Sequence, residues 1–207
     1  MDIRPFGTFR RYELAERWEH GAKEVVDRLT KRKFLPLEGA REETERWGWI
    51  TLEHLFDTRF EIEKVFLDPF VAFALRIDRR RVPANLLRAH VKLEEQACRE
   101  ATGKPVGPAK RRELRAEVRE KLLAKTLPSA SSYPVVLQPN RGIVWFSNTG
   151  KKTTELFVAQ FEETFEVALI PQNPRNLALR VVSGDADSVD RAEPTVFSSG
   201  RAAAGGE

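Results

Sequence analysis

The residues of this 207-residue chain that are best placed to do chemistry are arginines on one predicted helix. Over residues 108–125, apolar side chains recur every four positions, which is typical of a helix with one buried face. Three arginines have the same spacing and therefore share a neighbouring face: Arg111, Arg115 and Arg119. No Asp or Glu lies three or four positions from any of them, so pairing within the helix cannot neutralise them. Spread over roughly 12 Å of helix axis, they are suited to following a phosphate backbone. An ordinary solvated basic face is the alternative.

Further basic residues cluster near this helix, although the net charge of the chain is only +4. The middle third of the sequence is basic and its flanks are balanced or acidic, an asymmetry that points to a polyanionic partner. Lys151 and Lys152 open a later predicted helix, whose free N–H groups would suit a DNA phosphate, although a plain solvated turn is the favoured interpretation. Trp145 and Lys152 stand where a nucleotide-binding loop needs Gly and Ser or Thr, so nucleotide binding is not predicted. The residues predicted to contact DNA are Lys104, Lys110, Arg111, Arg112, Arg115, Arg119, Arg79, Arg80, Arg81, Arg88, Lys151 and Lys152.

The densest group of carboxylates comprises Asp57, Glu61, Glu63 and Asp68. A metal-dependent nuclease needs such carboxylates to converge on one or two magnesium ions. Glu61 and Glu63 share one face of a predicted strand, however, and are more simply its solvent face. No lysine follows either glutamate by two positions, as a common nuclease pattern would require. The sequence therefore favours a protein that is not an enzyme, and a metal-dependent exonuclease using Asp57, Glu61 and Glu63 is the alternative.

The histidines and the cysteine add no further chemistry. His20, His54 and His90 are not at metal-ligand spacing with one another or with Cys98. His90 falls on the apolar face of a predicted helix, which favours a hydrogen-bonded core histidine. We predict no catalytic residue, no metal site and no cofactor. A single cysteine also excludes an intrachain disulfide and fits a reducing compartment.

The elements that must position these residues mix strands and helices without strict alternation, which favours an α+β fold with mainly antiparallel sheets and packed helices. Strands are predicted over residues 6–14, 47–50, 60–67, 70–77, 135–137, 143–146 and 165–170. Helices are predicted over residues 15–34, 82–101, 108–125 and 151–164. Residues 129–134 are predicted as a loop, and the turn at 139–142 closes a hairpin.

One DNA-binding region is predicted over residues 1–182, with a sub-boundary near 128–133. A disordered tail is predicted over 183–207, which is rich in Ser, Gly, Asp and Ala. The N-terminus lacks the apolar core of a signal peptide, and no window is long and apolar enough to cross a bilayer. These features predict a cytoplasmic protein.

The order of the motifs resembles the RdgC family of recombination-associated, nucleoid DNA-binding proteins. The resemblance covers residues from about 1 to 175 and is carried by Gly48-Trp49, Ile77-Asp78-Arg79, Val82-Pro83, Gly103-Lys104, the stretch from Lys110 to Val118, Leu122-Leu123 and Lys151-Lys152. It implies a non-enzymatic protein that binds duplex DNA with little sequence preference. It also implies a ring-shaped homodimer that limits recombinase access. The family's basic positions fall on Lys104, Arg111, Arg112 and Arg115.

Two departures from the family pattern bear on this interpretation. Residues 124–132 lack the basic-Ala-Phe segment that family members carry after Leu-Leu-Pro. Family chains are also considerably longer. We therefore expect a shortened RdgC-like member, for which an open dimer or a partner-binding module is an alternative to a closed ring.

The sequence thus predicts a non-sequence-specific duplex-DNA-binding protein that modulates recombination or recombinase access. It is expected to be a homodimer in the cytoplasm, associated with the nucleoid, with recombination proteins as further partners and no membrane contact. Two alternatives stay open. One is the metal-dependent exonuclease, and the other is a protein-interaction module that regulates recombination factors through its basic face.

Overall fold

Seven strands form one sheet in the computed structural model, which describes residues 8–37, 44–182 and 186–192. Their bounds are β1 Arg10–Leu14, β2 Glu45–Ile50, β3 Phe66–Leu67, β4 Phe70–Arg79, β5 Ser129–Gln138, β6 Ile143–Phe146 and β7 Leu169–Pro171. The spatial order is β2-β4-β5-β6-β1-β7, with β3 also paired to β4. The pairings among β1 to β6 are antiparallel.

The described residues also form seven α-helices, so the predicted α+β class is confirmed. Their bounds are α1 Ala22–Lys31, α2 Ile62–Val65, α3 Ala84–Thr102, α4 Pro108–Lys125, α5 Lys151–Phe165, α6 Pro174–Val181 and α7 Ala186–Asp190. The chain divides into two units, Met1–Ile170 and Pro171–Glu207, and the second contains α6 and α7. Over the residues just described, no helix combines the length and apolarity that crossing a membrane requires.

The main core lies between one face of the sheet and helices α1 and α5. Strand β4 places alternate residues on this face because side chains of a strand point to opposite sides in turn. Helix α5 contributes the fully buried rings of Phe157, Phe161 and Phe165. The Phe157 ring stacks on Phe146 of β6, with ring centroids 4.0 Å apart. This aromatic core packs α5 against the sheet.

The opposite face of β4 contains a buried ion pair. Arg76 donates to both carboxylate oxygens of Asp78 at 2.7 Å, and the side chains are 7% and 3% exposed. The Arg76 guanidinium also lies over the rings of Phe34 and Phe56 and donates to the carbonyl of Leu55. Arg76 therefore stabilises the fold, although it belongs to the basic stretch of the sequence.

Gly48 marks the point where the segment after α1 crosses β2. Phe34 donates its N–H to the Trp49 carbonyl at 2.8 Å, and Trp49 donates to the Arg32 carbonyl at 3.1 Å. A Cβ on Gly48 would lie 2.5 Å from the Phe34 Cα and 2.9 Å from the Lys33 carbonyl carbon. Only glycine allows this close approach of two backbones.

Several predicted elements differ from the structure. The helix expected over 15–34 is limited to α1, and the strand expected over 165–170 is limited to β7, because α5 extends to Phe165. The strand expected over 60–67 is the short helix α2 followed by the two residues of β3. The loop expected over 129–134 is the first half of β5. Residues 129–134 pair with β4 on one side only, because β6 begins to pair with β5 at Val135. This part of β5 is polar and lacks the hydrophobic alternation by which a strand is recognised in the sequence.

The predicted tail over 183–207 lies largely outside the described residues. Within it, Ala186–Asp190 is the short helix α7, and Arg175 of α6 donates to Asp190 at 3.1 Å. The predicted sub-boundary near 128–133 falls inside the first unit, at the start of β5.

Candidate nucleic-acid interface

Helices α3 and α4 form a helical hairpin that leaves the sheet after β4 and returns at β5. Gly103, at φ 68°, ends α3 in the left-handed conformation that favours glycine, and Pro108 opens α4. The helices pack through a small apolar cluster formed by Leu87, Val91, Val118, Val82 and Leu122. Because the apolar stripe of α4 faces α3, the arginine row beside it runs along the flank of the hairpin.

A cleft of about 420 Å³ lies where this hairpin meets the ends of β2 and β4 and the start of α5. We call it the basic cleft. Arg115 and Arg119 reach it from α4, Lys152 from α5, and a third group from the end of β4 and the turn that follows. The basic residues that line it are Arg79, Arg80, Arg81, Arg115, Arg119 and Lys152. Six residues that the sequence assigned to DNA contact therefore come together from three separate elements.

Glu45 of β2 is the carboxylate of this lining. It lies opposite Arg79 in the β2–β4 register, and its oxygens accept from Arg79 Nε at 2.7 Å and from Lys152 Nζ at 2.5 Å. Burial opposes ionisation of Glu45, but the hydrogen bonds from Lys152 and Arg79 outweigh it and lower the pKa of the carboxyl. Glu45 is thus ionised at neutral pH and neutralises part of the charge of the cleft.

Arg79 and Lys152 are paired with a carboxylate, whereas Arg115 and Arg119 are not paired with any carboxylate in the described residues. Both are exposed, and neither forms an ion pair with any residue that the structure describes. They lie one turn apart, about 6 Å along the helix axis. Arg81, in the turn after β4, is also exposed and outside any ion pair in the described residues. These three side chains are the cations of the cleft left available to a ligand.

The third arginine of the row, Arg111, is paired, so the expectation that all three are unpaired is wrong. Its Nε donates to Glu95 Oε1 of α3 at 2.6 Å. Rules for pairing within one helix could not reveal this contact because Glu95 lies on the preceding helix. Lys110 likewise pairs with Glu113 at 2.9 Å.

The remaining predicted DNA contacts lie outside the lining of the cleft. Arg88 is exposed and its Nε donates to the Ala84 carbonyl at 3.2 Å. Lys151 is 89% exposed, and its nearest carboxylate, that of Glu155, lies 4.0 Å away. Lys104 and Arg112 are exposed along the hairpin. Within the cleft, Arg80 is half-buried and donates to the Leu37 carbonyl at 3.2 Å, so part of its donor capacity serves the fold.

The carboxylates proposed for the exonuclease alternative are held by local contacts. Asp57 accepts from Lys64 Nζ at 2.9 Å and from the Arg59 N–H at 2.9 Å, and these bonds lower its pKa to about 2. Lys64 also lies 3.7 Å from Glu61, whereas Glu63 is exposed. In the described part of the chain, no three His, Cys, Asp or Glu side chains are grouped closely enough to hold a metal ion.

Two of the three histidines form hydrogen bonds within the fold. His20 lies between Glu24, at 3.0 Å, and the Phe165 carbonyl, at 2.8 Å. His54 contacts the Phe56 N–H. The expectation that His90 is a core residue is wrong, since His90 is exposed on α3.

Sequence reasoning missed Glu45, although this residue connects two of the predicted cations. Its link to Arg79 depends on the pairing of β2 with β4, and its link to Lys152 depends on the docking of α5 107 positions away. No local pattern around Glu45 signals either contact.

An α+β fold whose basic side chains converge from three elements on one cleft defines a protein suited to a polyanionic partner. Residues 6–180 match the family model described as "Putative exonuclease, RdgC". The chain therefore belongs to the RdgC family. Membership suggests a recombination-associated, DNA-binding role. The search among curated proteins found no match.

Proposed function

We propose that this protein binds duplex DNA through the phosphate backbone, with little sequence preference, and thereby modulates recombination or recombinase access. The observation that carries the proposal is the basic cleft. Six basic side chains from β4, the following turn, α4 and α5 line it, against the one carboxylate of Glu45. A concave surface with this excess of positive charge attracts polyanions.

The type of side chain supports backbone contact rather than base recognition. Phosphate contacts by Arg and Lys fix a protein on the duplex but carry no sequence information. Arg115 and Arg119 project from one helix face, and the exposed Lys104, Arg112 and Lys151 extend the positive surface beyond the cleft. We expect Arg111 and Lys110 to contribute less, because each already has a carboxylate partner.

We further propose that the protein is not an enzyme, needs no cofactor and acts as a homodimer associated with the nucleoid in the cytoplasm. The RdgC family supports the recombination theme of this proposal. Recombination proteins are its proposed functional partners.

The test is duplex-DNA binding by fluorescence anisotropy across a salt series. The double variant Arg115→Ala/Arg119→Ala is compared with Lys121→Ala/Lys125→Ala, which removes two charges at the same spacing from α4 outside the basic cleft. If each cleft arginine neutralises one phosphate, the log–log salt slope becomes shallower by about 1.8 in the first variant and changes little in the second. Equal effects of the two pairs would contradict the cleft as the binding surface.

An exonuclease is the second candidate, and the family description favours it. Its carboxylates would be Asp57, Glu61 and Glu63. Incubation of end-labelled duplex with Mg²⁺ or Mn²⁺ tests it. Metal-dependent degradation that is lost in Glu61→Ala would establish the enzyme, whereas intact DNA would favour the non-enzymatic proposal.

A protein-interaction module is the remaining alternative. In that case the wild-type protein would fail to bind duplex DNA, and DNA would fail to compete with an acidic protein partner for the basic face.

A further inference from the structure

Glu45 holds its two cations in a geometry that resembles a bound oxyanion. One carboxylate oxygen accepts from Arg79 Nε at 2.7 Å and the other from Lys152 Nζ at 2.5 Å. These donors come from the sheet and from α5, so the carboxylate bridges two elements at the wall of the cleft. Charge-assisted N–H···O bonds of this length are also the bonds that Arg and Lys make to phosphate oxygens.

We infer that the Glu45 carboxylate acts as an internal counter-ion that competes with a DNA phosphate for Arg79 and Lys152. The inference rests on the proposed DNA-binding function and deepens it. When the duplex docks on Arg115 and Arg119, a backbone phosphate displaces the carboxylate from at least one of its two cations. Glu45 is therefore a residue that limits affinity, within a site built to attract the same ligand.

The exposure of the three side chains indicates which bond gives way. Lys152 is 66% exposed, whereas Arg79 is 21% and Glu45 is 18% exposed. The lysine ammonium, on a flexible stem at the first turn of α5, is able to turn from the carboxylate towards a phosphate in the cleft. The Arg79–Glu45 pair is held by the β2–β4 register and remains in place.

The Glu45 carboxylate weakens the binding of a phosphate in the cleft by electrostatic repulsion. Its negative charge remains in the wall of the cleft after the phosphate has entered, and two like charges at about 5 Å repel even in a water-like dielectric. Allowing for screening at 0.1 M salt, removal of this charge tightens binding roughly two- to fourfold. Without its competing partner, Lys152 is fully available to the phosphate, which steepens the log–log salt slope by up to about 0.9.

The test uses Glu45→Gln in the full chain, with a fluorescent duplex as the probe. Gln keeps the size of the side chain and one hydrogen-bond acceptor while removing the charge. Glu166→Gln is the matched control: it makes the same change in net charge at a residue that pairs with Arg28, outside the cleft. We expect tighter binding and a steeper slope for Glu45→Gln, and wild-type behaviour for Glu166→Gln.

A second variant identifies the cation that is released. In the Lys152→Ala background, Glu45→Gln should no longer steepen the salt slope, because the freed cation is absent. Thermal unfolding of each variant, followed by circular dichroism, verifies that the fold is retained. Should Glu45→Gln fail to fold, Glu45→Ala in the same assay takes its place.

The outcomes separate this inference from the proposed function. If wild type does not bind duplex, the proposed function fails and the inference fails with it. If wild type binds and Glu45→Gln binds equally or more weakly, Glu45 positions its cations rather than competing for them, and only the inference is overturned. Equal gains in Glu45→Gln and Glu166→Gln would reduce the effect to net charge and would also overturn it.

Discussion

Replacing Gly48 with alanine should destabilise the protein severely, because the added methyl group has no space. It would lie 2.5 Å from the Phe34 Cα, 2.6 Å from the Phe34 nitrogen and 2.9 Å from the Lys33 carbonyl carbon. Carbon atoms in contact are normally about 3.5–4.0 Å apart, so one backbone must move by about 1 Å. All three obstructing atoms belong to the main chain, and no side-chain rotation relieves the overlap.

The size of the effect follows from what that movement breaks. Overpacking a filled core costs about 1–3 kcal/mol. The two hydrogen bonds of the crossing, Phe34 to Trp49 and Trp49 to Arg32, each contribute about 1 kcal/mol. We therefore expect Gly48→Ala to lower the free energy of unfolding by about 3–5 kcal/mol, a large part of the roughly 5–15 kcal/mol of a typical domain.

Urea unfolding followed by circular dichroism measures this loss, and Gly21→Ala is the control. Gly21 is the N-cap of α1, and a Cβ there meets nothing within 4 Å. The weaker capping of alanine and the lower entropy of its unfolded chain oppose each other, so the control should stay within about 0.5 kcal/mol of wild type. A Gly48→Ala protein as stable as that control would refute the close approach of the two backbones.

Two further predictions concern charged groups that stabilise the fold. Asp57→Asn should cost about 1–2 kcal/mol at pH 7, since the bonds from Lys64 and the Arg59 N–H lower the pKa of Asp57 from 3.8 to about 2. The lowered pKa of Asp57 in the folded state adds stability above pH 3.8, and this contribution is lost as the pH falls through 2. In urea titrations at acid pH, the unfolding free energies of wild type and Asp57→Asn should therefore converge. A difference that stays constant with pH would contradict this. Asp78→Ala should cost about 3–5 kcal/mol, because it leaves the buried Arg76 guanidinium unpaired. The double variant Arg76→Met/Asp78→Leu should recover much of that loss in the same unfolding assay, and a double variant as unstable as the single one would argue against charge burial as the cause.

Local signals in the sequence were sufficient to predict α4, which contributes Arg115 and Arg119 to the basic cleft, and the β5–β6 hairpin. The apolar stripe and Pro108 predicted α4 over residues 108–125, and α4 spans those residues. The alternation and turn around residues 135–146 likewise predicted a hairpin, and β5 and β6 form it. Arg115 and Arg119 could be selected because their exposure depends only on the helical period and the position of the stripe.

The features that could not be predicted from the sequence depend on contacts between elements. Arg111 looked unpaired within its own helix but meets Glu95 because α4 packs on α3. Residues 129–134 looked like a loop because a strand that pairs on one side needs no hydrophobic alternation. His90 lies on the outer side of α3, whereas Leu87 and Val91 pack against α4. Each outcome depends on packing between elements that local periodicity does not encode.

The α3–α4 hairpin has the topology of an insertion into a continuous β-ribbon. Arg79, the last residue of β4, lies directly opposite Ser129, the first of β5, although the two are 50 positions apart. The chain thus leaves the sheet and re-enters it at neighbouring points, which is where natural sequences gain and lose whole segments without disturbing their surroundings. The length of this arm can therefore change without altering the pairing of β4 with β5.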